Sequence, residues 1–190
     1  MNPTSGLFFL LPLTLCLALH PHLPVAATNA TNLNNATTGL IEKACGQLKN
    51  KALCLSLLNS NPGSETVDLK GLAFIALQAA SKNASTTSVM IQSWLNDTEA
   101  EPALDDALRA CDEAYIDVVD QIGDSVEALV SGANGNVETW VKAAVADLDT
   151  CDAGVKGLTM AHAVELTKQN RVLRQSCNVA LGIVHVVARG

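Results

Sequence analysis

The chain has 190 residues, 48 % of them hydrophobic but only 3 % aromatic, with a formal charge of −7 and a pI near 4.9. An acidic surface repels the phosphates on which nucleic-acid binding depends. It favours a basic protein partner instead, chiefly through the rate of encounter. A core of mainly Ala, Leu and Val is the filling expected of packed helices, and the length suffices for one domain with a sizeable core.

Leu7 to Leu19 is almost wholly apolar, too short a run to span a bilayer. Val25-Ala26-Ala27 follows, placing small residues at −3 and −1 of a cleavage point after Ala27. Residues 1–27 therefore read as a secretory signal peptide, and the expectation is a secreted, extracellular protein with no membrane association after cleavage. Six cysteines occur and Cys16 departs with the leader, so five remain, an odd count that leaves one thiol free or intermolecular. Sequons for N-glycosylation begin at Asn29, Asn35, Asn83 and Asn96. Residues 28–37, rich in Asn, Thr and Ala, read as a flexible tail.

Leu40, Ile41, Ala44 and Leu48, then Leu53, Leu55 and Leu58, fall on either side of Asn50-Lys51. The pattern predicts a small helical hairpin over 38–60, closed by a Cys45–Cys54 bridge. Helices this short are marginal alone, and closing the loop contributes about 2.7 kcal/mol by chain entropy. Asn61-Pro62-Gly63 breaks the chain, and Ser64 is expected to cap the next helix and open a bundle over 64–188. The stripe Leu69, Leu72, Ala76, Ala79, Ala80 fades through 81–88 and returns at Met90, Ile91, Trp94 and Leu95. Periodicity leaves open one long helix or two shorter ones.

The clearest stretch runs from Leu104 to Val155. Leu104, Leu108, Cys111, Tyr115, Val118, Ile122, Ser125 and Leu129 form one series, and Val137, Val141, Ala144, Leu148, Cys151 and Val155 a second. Steps of three and four keep each series on one side of a helix. Ser131 to Asn136 is a turn-forming linker, so the two helices pack antiparallel, and Cys111 and Cys151 lie at comparable distances from it and can bridge. A staple inside a helical seam requires an oxidising compartment. After a turn at Ala153 to Gly157, a last helix is expected over Leu158–Val187, carrying Cys177 on the stripe Leu166, Leu173, Cys177, Leu181, Val184 as a buried free thiol. The fold class predicted is all-α: an up-down-up-down four-helix bundle with an N-terminal helical hairpin and two disulfides.

No phosphate loop and no G-x-S-x-G elbow occurs. Two histidines remain after the leader, His162 and His185, too few for a metal site without further ligands. No catalytic residue, metal or cofactor is expected. Asp105, Asp106, Asp112, Glu113, Asp117, Asp120, Asp124 and Glu127 crowd one helix but sit off its seam, as a solvated or partner-facing surface rather than a catalytic pair. The residues thus point to a binding module rather than an enzyme. A carrier of a small apolar ligand would need a hollow core, against which the many alanines argue.

The order of cysteines resembles that of the plant invertase/pectin methylesterase inhibitor family, and several strings do too. Asp68-Leu69-Lys70-Gly71-Leu72-Ala73 opens the first long helix as in that family. Leu108-Arg109-Ala110-Cys111-Asp112-Glu113-Ala114-Tyr115 is similar to its L-x-x-C-x-x-x-Y string. Val137-Glu138-Thr139-Trp140-Val141-Lys142-Ala143-Ala144 with Asp149-Thr150-Cys151 resembles its V-x-T-W…T-C run. The resemblance implies a secreted inhibitor bridged 45–54 and 111–151 that occludes the cleft of a cell-wall enzyme, one to one, in the apoplast. Invertase inhibitors of the family tend to carry Pro-Lys-Phe where this chain has Gly132-Ala133-Asn134-Gly135-Asn136, and Thr139-Trp140 is more typical of the pectin methylesterase side. Pectin methylesterase is the expected partner, with acid invertase as the alternative. Asp105, Asp106, Asp112 and Glu113 are the candidate contacts, together with Lys142, which stands where the family usually has Ser.

Overall fold

The computed structural model describes residues 39–96 and 101–189. The expected leader and tail, with Asn29 and Asn35, lie outside the described residues. Helix α1 covers 39–46 and α2 covers Lys51–Asn59; a 3-10 turn over Pro62–Thr66 follows. Then come α3 (Leu69–Leu95), α4 (Pro102–Ser131), α5 (Asn134–Gly154) and α6 (Ala161–Val187). There is no strand among the described residues. The last four helices form an up-down-up-down bundle in which each packs on the two beside it, α4 most extensively against α5.

The bundle opens later than the sequence suggests. Ser64 is buried within the 3-10 turn and caps nothing; Asp68 caps α3, its carboxylate accepting from the Gly71 amide at 2.8 Å. Pro62 sets the turn, and the carboxylate of Asp68 then stands where an unpaired helix-end amide needs an acceptor. Gly71 is required beside that cap, because a Cβ there would overlap the Val67 side chain, which the turn folds back against α3.

Helix α3 is unbroken. Its faint middle points small residues inward, Ala80, Ala84 and Thr87, and the Thr87 hydroxyl donates to the Asn83 carbonyl at 2.9 Å. Between α4 and α5 the expected linker shrinks to Gly132 and Ala133, since Gly132 adopts φ 81°, a left-handed helix stop that favours glycine. Helix α6 begins at Ala161 rather than Leu158, because a turn through Gly157, φ 83°, still has to be completed.

Both apolar series of the α4–α5 pair are buried throughout, at 0–5 % exposure. Cys111 and Cys151 are bonded across this seam with Cα atoms 4.5 Å apart, and Cys45 and Cys54 are bonded across the α1–α2 turn at 5.5 Å. Cys177 is a free, buried thiol.

Candidate functional site

A chain of polar side chains runs inside the bundle. The Tyr115 hydroxyl on α4 donates to Asn170 Oδ1 on α6 at 2.7 Å, and Asn170 Nδ2 donates to Asp152 Oδ1 on α5 at 2.6 Å. Arg174 Nη2 meets the other Asp152 oxygen at 2.7 Å, while its Nη1 pairs with Asp149 at 2.7 Å. Tyr115 and Asn170 are fully buried, so each member satisfies a group that would otherwise be stranded without water. Burial pushes the Tyr115 phenol well above its usual range, with the Thr87 hydroxyl and the Arg174 guanidinium pulling partly the other way. This arrangement holds three helices in register and presents no nucleophile.

The sequence reading missed Asn170, although it leaves a mark. The stripe on α6 jumps from Leu166 to Leu173, and the position it skips is 170, a polar residue where helical spacing calls for an apolar one. Cys177 lies nearby, and burial raises its thiol to about 12, so it stays protonated and inert. His162 stacks on Trp94 with ring centroids 4.3 Å apart, joining the end of α3 to the start of α6. No cluster of three or more His, Cys, Asp or Glu is placed to hold a metal ion among the described residues.

The surface is where the candidate contacts separate. Asp106 and Glu113 are exposed on α4. Asp105 is engaged by Arg109, whose Nε lies 2.9 Å away. Asp112 has one buried oxygen with no hydrogen-bond partner among the described residues. Further along α4, Glu113, Asp117, Asp120, Asp124 and Glu127 form one exposed stripe around Ile116, itself 50 % exposed. Lys142 belongs elsewhere. Cys151 sits level with Cys111, and Lys142 is nine residues from it, about 13 Å along α5 at 1.5 Å per residue. It lies toward the α4–α5 turn, level with Asp120, and is engaged by Glu138 at 2.5 Å. Glu138 also meets His185 Nε2 of α6 at 3.2 Å, and the Lys142 ammonium with His185 holds its carboxyl below the usual range. Thr139 and Trp140 share this exposed side of α5.

Two of the four sequons have their Asn among the described residues. Asn83 is half-buried in the middle of α3, whereas Asn96 is exposed at its C-terminal end, its amide donating to the Gln92 carbonyl at 3.0 Å.

Known proteins are similar to this chain. A pectinesterase inhibitor of Actinidia deliciosa is 30 % identical over 80 % of this chain and 81 % of its own length. A cell wall/vacuolar inhibitor of fructosidase from Arabidopsis thaliana is 31 % identical over 95 % of this chain and 96 % of its own. Among solved structures, a mutant form of a pectin methylesterase inhibitor from Arabidopsis superposes with a TM-score of 0.67 at 26 % identity, covering 76 % of this chain and 95 % of that one. Residues 39–183 match the plant invertase/pectin methylesterase inhibitor family, a span that holds both disulfides and all of the bundle but the end of α6, and the chain belongs to this family of inhibitors rather than to any class of catalyst.

Proposed function

We propose that this protein is an extracellular inhibitor of pectin methylesterase that covers the enzyme's active-site cleft in a one-to-one complex. Family membership supports inhibition as the activity. The two disulfides and the apolar leader sequence support an oxidising, extracellular setting. No helix among the described residues is long and apolar enough to cross a membrane. The observation that carries the target is the exposed Thr139-Trp140 pair on α5, adjoining a short Gly132-Ala133 turn that has no Pro-Lys-Phe.

The contact surface proposed is the outer side of the α4–α5 pair. Asp106 and Glu113 are its available charges at one end; Asp105 and Asp112 are respectively tied to Arg109 and partly buried. Lys142 contributes near the other end once it leaves Glu138. Charges at the rim of an interface act mainly on association rate and its salt dependence. Asp106→Asn with Glu113→Gln should therefore slow association severalfold at low salt and leave dissociation nearly unchanged.

A second reading, inhibition of an acid invertase, is supported by the fructosidase inhibitor that aligns along almost the whole chain. Surface plasmon resonance against a pectin methylesterase and an acid invertase decides between them. Tight binding to invertase with none to the esterase overturns the first reading. Salt-independent association with the esterase removes the electrostatic account of the encounter.

A further inference from the structure

A groove runs between the α1–α2 turn and the outer side of α6, and at one edge its lining residue His185 meets Glu138 of α5. Its walls are fixed. The Cys45–Cys54 bond pins the turn, and Leu48 seats so closely over Gly182 that a Cβ there would lie 2.6 Å from the leucine. The cavity measures about 540 Å³, ample for two or three sugar rings.

Its lining has a distinctive chemistry. Gln175 and Asn178 bring side-chain amides, which offer a donor and an acceptor together, as neighbouring hydroxyls require; Asn50, whose Oδ1 caps α2 by accepting from the Leu53 amide at 3.3 Å, adds its NH2 as a donor. Leu53 and Val179 supply an apolar floor. Lys49 and Arg189 stand at the rim, and neither forms an ion pair among the described residues; the Arg189 Nε donates to the His185 carbonyl at 2.9 Å, leaving its terminal nitrogens available. Apolar floor, amides and cations together match a sugar that carries a carboxylate.

We propose that this groove binds an acidic oligosaccharide built of uronic-acid units, independently of which enzyme the protein inhibits. The amides take the hydroxyls, the floor takes the C–H face of a ring, and Lys49 and Arg189 take carboxylates. The one aromatic ring of the lining is His185, whose Nε2 is engaged by Glu138 at 3.2 Å, so affinity rests on the charges and is salt-sensitive.

The test is calorimetric titration of the intact protein with trigalacturonate, its fully methyl-esterified form, and citrate. Trigalacturonate is expected to bind at low salt, at least tenfold more tightly than either control. Lys49→Glu with Arg189→Glu should weaken it at least tenfold at an unchanged melting temperature, and Gln175→Leu should weaken it without changing the salt dependence. Lys82→Glu on α3, away from the groove, should bind as wild type. Equal binding of the methyl ester removes the carboxylate contact, equal binding of citrate reduces the groove to an anion site, and an unaffected double variant places binding elsewhere; each overturns the proposal. Esterase inhibition is measured on the same double variant, and its persistence separates this groove from the inhibitory surface.

Discussion

The α1–α2 and α4–α5 pairs each carry one disulfide, but the first joins residues 39–46 to a nine-residue helix and the second joins helices of 30 and 21 residues. In α4–α5 the bond sits within a seam buried along its whole length, an interface that would exist without it. In α1–α2 the fully buried set is small, Ile41, Ala44, Cys45, Cys54 and Leu58, and helices so short do not persist on propensity alone. The same covalent device thus reinforces a cohesive element in one place and makes a marginal one possible in the other. Removing it should cost the whole protein in the first case and a local unit in the second.

Cys151→Ser should have the largest effect. Opening a closure over a sequence separation of 40 removes about 4 kcal/mol by chain entropy, and the new hydroxyl lands where exposure is 0 %, adding about 1–3 kcal/mol. That is a large part of a typical stability of about 5–15 kcal/mol, so the variant should fold poorly or melt more than about 10 °C lower. Cys45→Ser should release the α1–α2 pair, seen as faster amide exchange confined to residues 39–59, while the main melting transition moves less. If Cys45→Ser lowers that transition as much as Cys151→Ser, the N-terminal pair is integral to the bundle and the contrast fails.

Apolar truncation sharpens the same comparison. Leu108→Ala and Leu148→Ala remove fully buried side chains from the α4–α5 seam and should each cost about 2–5 kcal/mol. Leu53→Ala in α2 removes a half-buried one and should cost less than half as much. Asp106→Ala and Asp120→Ala, both exposed, should stay within about 0.5 kcal/mol in chemical denaturation.

How much of this is legible in sequence depends on what each helix points inward. The α4–α5 pair is readable residue by residue because its seam is large and apolar, and its cysteines complete the pattern. In α3 the inward positions are Ala80, Ala84 and Thr87, which carry little hydrophobic signal although they permit close packing. Ser64 misled because an N-cap preference cannot say that a proline two residues earlier will spend the serine in a 3-10 turn. Asn170 went unread because its partners, Tyr115 and Asp152, come from two other helices, and pairings of that kind are written in three dimensions. The groove beside α6 has the same origin: Lys49 and Arg189 are distant in sequence and meet only through the fold.

The buried polar chain should contribute less than the seam but leave a cleaner signature. Asn170→Ala strands the Tyr115 hydroxyl and one Asp152 oxygen, a cost of about 1–3 kcal/mol. Tyr115 is the only tyrosine, so the rise in absorbance near 295 nm that accompanies phenol ionisation reports it alone, above a constant tryptophan background. Its raised folded value means that the contribution is present below the ordinary phenol range and is lost as pH rises above it. Tyrosinate should therefore appear in wild type only together with loss of helical circular dichroism. Tyrosinate forming while the helices persist would show that the hydroxyl is accessible to solvent.

The smallest effect belongs to the surface contact that joins the same two helices, α5 and α6, through Glu138 and His185. Here the partners are exposed and screened, and the contribution is that of a surface ion pair. Lys142 and then His185 depress the Glu138 carboxyl, so its folded value lies below its unfolded one. The stabilisation is present above the unfolded carboxylate range and lost as pH falls through the lower folded value. Melting temperatures of wild type and Glu138→Gln should differ by a degree or so at pH 6, with wild type higher, and converge toward pH 3. Added salt should shrink the gap at pH 6, whereas it should leave the cost of Asn170→Ala unchanged. A gap at pH 6 that resists salt would mean that Glu138 acts through packing rather than charge, and that the outer and inner links between α5 and α6 are of one kind.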